Sequence, residues 1–170
     1  VEVFDKLKHP NIWFRRGLMF LAVLVFFLIT VGGWVRNMGA GLSCPDWPLC
    51  NGKIIPHFDA LIFAEYFHRV VAGSVSLLTL GFTAFIFTNK KLSKLLGRQA
   101  ILALIILASQ VVLGGLTVLK ILQSEIVTLH LIFGTLFFAV ILVMNLRLNR
   151  FGGTEFDIAR VVKDKLRKEP

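Results

Sequence analysis

Two histidines lie inside long apolar runs of this sequence. His68 is the fourth residue of the string Glu65-Tyr66-Phe67-His68-Arg69, and His130 lies in an equally apolar run. His68 follows Asp59 by nine residues and His130 follows Glu125 by five, so both imidazoles lie roughly 8 to 14 Å along their helices. Ionisable side chains within membrane-spanning helices are costly, usually face a bundle interior and mark a functional site.

Small residues follow both histidines one helical turn later. Ala72 lies four residues after His68 and Gly134 four after His130, at positions that a planar porphyrin could pass without meeting a side chain. Two neutral imidazoles at matched depth on neighbouring antiparallel helices can clamp a porphyrin iron from both faces. We therefore predict that His68 and His130 are heme-iron ligands; a core role is the alternative for a histidine taken alone.

Two charged residues accompany the first histidine. Glu65 lies three residues before His68 on the same helical face, where a carboxyl suits acid/base work or the stabilisation of positive charge on a substrate. A hydrogen-bonded core carboxyl, an ion pair with Arg69 and a proton relay are the alternatives for Glu65. Arg69 could bind a heme propionate, because its planar guanidinium fits a carboxylate.

Cys44 and Cys50 are the only cysteines, and both fall in a connection rich in glycine and proline. Two thiolates cannot complete a four-ligand zinc site without other donors. An oxidising compartment permits a disulfide, which we expect between them as a staple of the loop. A catalytic redox pair is the alternative.

Four apolar runs must position these groups. Residues 17–35, 60–88, 99–119 and 126–146 are each long enough for a hydrocarbon core, which needs about 20 apolar residues. The hydrophobic content of 56% and the mean hydropathy of +0.76 exceed those of ordinary soluble domains. We predict an all-α integral membrane protein, a four-transmembrane-helix bundle.

The first and third runs end alike, in Val31-Gly32-Gly33 and in Leu113-Gly114-Gly115. Each is followed by an outer connection and then by a run that holds one histidine. The bundle is therefore expected to consist of two repeated helix hairpins. A glycine pair lets a neighbouring backbone or a flat ligand come close, and simple helix packing explains the glycines equally well.

The basic residues predict the topology. Most of the 19 Lys and Arg residues flank the chain ends or the middle connection, whereas the first and third connections hold only Arg36, Lys53 and Lys120. By the positive-inside rule both termini are cytoplasmic and the cysteine loop is extracytoplasmic. We expect a multi-pass protein of a prokaryotic plasma membrane whose tail faces anionic lipid headgroups, and no nucleic-acid partner.

These patterns divide the chain into three parts. We assign residues 1–16 to a cytoplasmic N-terminal segment, 17–147 to the transmembrane heme-binding domain with its outer loop 36–59, and 148–170 to a basic cytoplasmic tail. Phe151-Gly152-Gly153 is expected to break the last helix. Beyond it, apolar residues recur at near-helical spacing, which favours a surface amphipathic helix. No cleavage pattern follows the first run, so we expect it to be retained.

Three strings together resemble the heme A synthase family: Gly32-Gly33-Trp34-Val35-Arg36, the cysteine segment 39–52, and Glu65-Tyr66-Phe67-His68-Arg69. The resemblance covers all four runs. It implies an eight-helix protein of two four-helix halves, one taking the substrate heme O and the other a heme b cofactor through paired histidines. The implied reaction oxidises a ring methyl of heme O to a formyl group, giving heme A for terminal oxidases.

By this resemblance Glu65 is the catalytic acid, His68 and His130 are the histidines of the substrate-side half, and Cys44 with Cys50 is its outer-loop pair. One four-helix unit with one histidine pair implies a homodimer or a larger even-numbered oligomer. A heme O synthase and an electron-transfer protein are the further expected partners. The alternatives are a membrane b-type cytochrome that passes electrons, and a heme carrier or assembly protein without turnover.

Overall fold

Four long helices form the part of the chain that the computed structural model describes, namely the backbone of residues 10–166 and the side chains of residues 12–150. α1 covers Pro10–Asn37, α2 Ala60–Thr88, α3 Lys90–Leu119 and α4 Ser124–Leu166. No β-strand occurs among these residues, so the all-α prediction is confirmed.

All four helices are long and apolar enough to cross a membrane. The candidate spans are Ile12–Asn37, Ala60–Thr88, Lys90–Leu119 and Ser124–Arg150. Large apolar side chains cover the outside of the bundle; Leu77, for example, is 72% exposed and Leu146 is 66% exposed. A surface of this kind suits contact with lipid rather than with water.

Two of the helices, α2 and α3, begin where short polar side chains cap them. Asp59 accepts hydrogen bonds from the backbone N–H groups of Leu61 and Ile62, at 2.9 and 2.8 Å. Asn89 caps α3 directly after α2 ends, so α3 begins nine residues before the apolar run from residue 99. The basic residues of this connection are therefore helical.

Each helix packs against two neighbours. α1 contacts α2 and α4, and α3 contacts the same two helices. Within the described residues α2 and α4 make no contact with each other, so they occupy diagonally opposite corners.

The expectation that the two histidines come from neighbouring antiparallel helices is wrong. His68 lies in α2 and His130 in α4, which are diagonal rather than adjacent. In an up-and-down bundle, helices two apart in the chain run in the same direction and face each other across the centre. The two imidazoles therefore belong to parallel helices that are separated across the bundle.

The fully buried apolar side chains concentrate in the inner half of the bundle, which is the half away from the 38–59 loop. They include Leu18, Leu21, Ile86, Leu96, Ile141 and Leu148. Asn145 links two helices there, since its Nδ2 atom donates to the carbonyls of Leu18 and Ile141 at 3.1 and 3.0 Å. Tight packing in the inner half fixes the helices, and the histidines lie in the outer half.

The last helix continues without a break through Gly152 and Gly153 to Leu166, so the expected break at this point is wrong. Glycine keeps its backbone N–H and costs a helix only about 1 kcal/mol relative to alanine, which does not force an end. The side chains from Phe151 onward lie outside the described ones, so the amphipathic character of the tail stays a prediction. Residues 1–9 and 167–170 lie outside the described residues altogether.

Candidate functional site

The imidazole of His68 lies directly against α1. A Cβ atom on Gly32 would be 3.1 Å from the Cε1 atom of this ring, closer than an ordinary van der Waals contact. The side chain is half-buried. Its Nδ1 atom is buried and has no hydrogen-bond partner among the described residues.

The imidazole of His130 lies against α3 in the same way. A Cβ atom on Gly114 would be 3.3 Å from its Cε1 atom. Its Nδ1 atom is also buried without a partner in the described part of the chain. Nearby, Nε2 of Gln110 donates a 2.8 Å hydrogen bond to the backbone carbonyl of His130, which ties α3 to α4 at this depth.

The two hairpins therefore repeat one arrangement. In each, the first glycine of the glycine pair faces the histidine of the following helix: Gly32 faces His68, and Gly114 faces His130. The repeat was visible in the sequence, but the contact was not, because glycine spacing alone does not show which neighbouring side chain approaches.

These histidines fit the ligation of a heme iron. A buried nitrogen without a hydrogen bond is unfavourable by roughly 1 to 3 kcal/mol. Since Nδ1 of each histidine has no partner among the described residues, neither imidazole is held in place by a hydrogen bond through that atom, as a core histidine would be. The described residues contain no group of three or more His, Cys, Asp or Glu side chains that could hold a bare metal ion. Two single imidazoles on diagonal helices would instead suit a porphyrin iron, which a pair of protein side chains can hold.

The carboxylate of Glu65 is buried, with 4% of the residue exposed. Its Oε2 atom accepts a 2.8 Å hydrogen bond from the backbone N–H of Cys44. Its Oε1 atom pairs with the guanidinium of Arg69, one helical turn away. The structure thus contains the ion pair between Glu65 and Arg69, which was one of the alternative roles predicted for Glu65.

Arg69 fastens the outer loop to α2. Its Nη1 atom donates to the carbonyls of Asp46 and Leu49 at 2.8 and 2.7 Å, and its Nη2 atom donates to the carbonyl of Cys44 at 2.8 Å. With the bond to Glu65, four of the five guanidinium N–H groups are engaged. Only the Nε–H would remain for a heme propionate, and that role stays a prediction.

The loop between α1 and α2 contains the expected disulfide. Cys44 and Cys50 are bonded, and both are buried. The side chain of Asp46 closes the next turn by accepting from the backbone N–H groups of Asn51 and Gly52, at 2.6 and 2.7 Å. The Gly52 N–H, followed by weaker effects including that of Asn51, holds the pKa of Asp46 below its usual value of 3.8.

Trp47 docks the same loop onto the opposite hairpin. A Cβ atom on Gly115 would be 3.3 Å from Cδ2 of the indole, so the ring lies flat against α3. The residue is 43% exposed. This contact could not be predicted from the sequence, because the docking depends on the path of the whole loop.

The structure therefore gathers Glu65, Arg69 and the disulfide into one cluster at the outer end of α2, one turn from His68. A family model for cytochrome oxidase assembly proteins, COX15-CtaA, matches residues 15–62 and 57–166 of this chain. The chain belongs to this family. No solved structure matches it.

Curated relatives of this chain carry the name Heme A synthase. That of Symbiobacterium thermophilum is 35% identical over 60% of this chain and 33% of its own length. That of Bacillus licheniformis is 30% identical over 77% of this chain and 44% of its own length. That of an Exiguobacterium species is 30% identical over 82% and 46%. The chain thus spans from a third to just under half of the length of these relatives.

Proposed function

We propose that this chain acts in heme A synthesis and oxidises a ring methyl of heme O to a formyl group. The observation that carries the proposal is that Glu65 and Arg69 lie close to one of the two histidines. Two imidazoles whose Nδ1 atoms have no hydrogen-bond partner among the described residues lie on diagonal helices. The buried Glu65, paired with the part-buried Arg69, lies one turn before His68. The name of the curated relatives supports the same activity.

His68 and His130 would hold the heme iron, one from each hairpin. The iron porphyrin supplies the redox chemistry when bound, whether it is substrate heme O or a heme b cofactor. The chain supplies the position of the ligands. Inner-half packing fixes α2 and α4, and the glycines of α1 and α3 lie against the two rings.

Glu65 is the proposed catalytic carboxylate. Conversion of a methyl to a formyl group adds one oxygen atom, and with water as its source four electrons and four protons leave, the electrons passing to the expected electron-transfer protein. A carboxylate beside that group can accept a proton or stabilise developing positive charge. Glu65 lies on the same helical face as His68, and its contacts to Cys44 and Arg69 fix its position. Such fixed placement is what catalysis requires of an acid or base.

The disulfide loop is proposed to cap the outer end of the site. Arg69 fastens it to α2 and Trp47 docks it on α3, so it bridges both hairpins. The Cys44–Cys50 bond keeps the loop in the shape that presents its carbonyls to Arg69. This role requires no change in the redox state of the cysteines. An extracytoplasmic position of the loop is part of the proposal, because the basic residues concentrate at the other end of the bundle.

A membrane b-type cytochrome is the second candidate function, and one observation favours it. Both oxygens of Glu65 already accept hydrogen bonds from the chain, as expected of a carboxylate that only holds the loop. A cytochrome or a heme carrier would need the two histidines and the fold, but no carboxylate that acts on the substrate.

The decisive experiment is expression of the chain together with a heme O synthase in cells that lack their own heme A synthase. Hemes are extracted and separated by reversed-phase chromatography, with the His130→Ala variant as control. Heme A in the wild type and its absence in the control support the proposal. A protein loaded with heme that yields only heme B and heme O would establish the cytochrome or carrier alternative. Homodimer formation and the electron-transfer partner stay predictions, and native mass spectrometry from mild detergent tests the first.

A further inference from the structure

We propose that Gly32 and Gly114 are positioning residues for the two heme-iron ligands, each fixing the place of one imidazole ring by direct contact. The inference rests on the proposed ligation of heme by His68 and His130. It adds that α1 and α3, which contribute no ligand, determine where the ligands stand.

The contact involves the edge of the ring that carries both nitrogens. A Cβ atom on Gly32 would lie 3.1 Å from Cε1, 3.6 Å from Nδ1 and 3.9 Å from Nε2 of His68. On Gly114 it would lie 3.3 Å from Cε1 and 3.9 Å from Nε2 of His130. Since 3.4 Å is the lower limit of an ordinary contact, a methyl group at either position would displace the imidazole by a few tenths of an ångström.

Backbone conformation does not explain these two glycines. Both lie within helices, and neither has a positive φ angle. Glycine inside a helix is less favourable than alanine. Both positions therefore require a residue without a side chain, because an imidazole ring fills the adjacent space.

The adjacent glycine of the first pair gives a matched contrast. A Cβ atom on Gly33 would meet nothing within 4 Å, so alanine fits there without a shift of any neighbour. Within one glycine pair, one position is thus restricted by the histidine and the next is not. The repetition of the restricted position in both hairpins argues that the ring contact, rather than general helix packing, selects glycine.

A displaced imidazole would change the ligand field of a bound heme. We expect Gly32→Ala and Gly114→Ala to convert part of the low-spin heme to high spin or to shift its electron paramagnetic resonance signal. The effect should be larger for Gly32→Ala, because its contact is closer by 0.2 Å, the difference between 3.1 and 3.3 Å. Gly33→Ala should keep the wild-type spectrum.

The measurement uses the purified full chain with its heme, and records optical and paramagnetic resonance spectra of the three glycine variants, of His68→Ala and His130→Ala, and of the wild type. A wild type without heme, or histidine variants with unaltered spectra, would refute heme ligation itself. Given a normal wild type, wild-type spectra in Gly32→Ala and Gly114→Ala would overturn this inference alone.

A double-mutant cycle separates ring contact from packing without heme. The thermal stability of the heme-free protein is measured for Gly32→Ala, His68→Ala and the combination. If Gly32 acts through the imidazole, Gly32→Ala should lower the melting temperature in the presence of His68 and not in the His68→Ala background. Equal losses in both backgrounds, or failure of both glycine variants to fold, would make Gly32 a packing residue and overturn the inference.

Discussion

The backbone N–H of Cys44 donates a 2.8 Å hydrogen bond to Oε2 of Glu65. Through this bond the disulfide loop is attached to the same helix that carries His68. Arg69 strengthens the attachment, because it binds the other oxygen of Glu65 and the carbonyl of Cys44 at once. A change in the loop conformation should therefore move Glu65, and a substitution of Glu65 should alter the loop conformation.

Replacement of Arg69 should release the loop while the heme stays bound. In Arg69→Lys the ammonium keeps the charge, but its three donors cannot reproduce a planar fork that serves four acceptors. We expect Arg69→Lys to lose at least about tenfold in heme A output, equivalent to roughly 1.4 kcal/mol. Hydrogen exchange of the amides in residues 44–52 should become faster, and the heme spectrum should change little. Lys53→Ala, an exposed basic residue of the same loop, serves as control. Unchanged exchange in Arg69→Lys would contradict the fastening role.

Glu65→Gln should retain heme and lose turnover. The amide oxygen of glutamine can still accept the Cys44 N–H, but the side chain cannot accept a proton or stabilise positive charge as a carboxylate does. We expect a near-normal heme spectrum together with accumulation of heme O or a partly oxidised intermediate, detected by chromatography of extracted hemes.

Comparison with Arg69→Lys distinguishes catalysis from loop attachment. If Glu65→Gln speeds loop exchange no more than Arg69→Lys does but loses more heme A output, the carboxylate acts on the reaction. Normal heme A output from Glu65→Gln would return Glu65 to a structural role.

Loss of the disulfide should have a local effect. The bond between Cys44 and Cys50 spans six positions, so it restricts the unfolded chain less than the roughly 3 kcal/mol given for a 15-residue loop. The double variant with serine at both positions should keep the helix content and nearly the melting temperature of the wild type. Its loop amides should exchange faster, since no disulfide then holds in place the carbonyls that Arg69 binds. Cooperative unfolding of the whole bundle in this variant would show that the bond supports more than the loop.

The turn closed by Asp46 should open in acid. Its pKa is lowered in the folded protein by the Gly52 N–H first and by further effects that include Asn51. Because the pKa of Asp46 is lower in the folded protein, its carboxylate stabilises the turn fully above the ordinary value of 3.8. This stabilisation disappears as the pH falls through the lowered pKa. Around neutral pH Asp46 should therefore keep its charge and the turn it closes.

Trp47 reports this transition, because its indole adjoins Asp46 in the chain and lies on Gly115. In a background with Trp13 and Trp34 replaced by phenylalanine, its fluorescence should change with a midpoint below pH 3.8. In Asp46→Asn the transition should be absent. A midpoint at or above 3.8 in the wild-type loop would show that the hydrogen bonds to Asp46 do not favour its charged form.

The sequence predicted the elements better than their arrangement. The long apolar runs predicted the four helices, because crossing a bilayer constrains length and hydropathy strongly. The diagonal relation of His68 and His130 was mispredicted, since local patterns do not state which helices are neighbours. Gly152 and Gly153 were misread as a break, since glycine only weakens a helix.

Within the site, residue types were easier to predict than partners. The disulfide followed from the presence of only two cysteines. The contacts of Arg69 with the carbonyls of Cys44, Asp46 and Leu49 could not be predicted, because they span 20 to 25 residues and depend on the folded path of the loop. The glycine repeat was seen, but only the structure paired Gly114 with His130.

We propose that His68 and His130, from diagonal helices, ligate one heme iron. Optical and paramagnetic resonance spectra of the purified wild type, His68→Ala and His130→Ala test it most directly. We predict a low-spin six-coordinate heme in the wild type, and in each variant either a five-coordinate high-spin heme or loss of heme with the helix content unchanged. Both variants keeping the wild-type spectrum and heme content would contradict the claim and place the heme elsewhere.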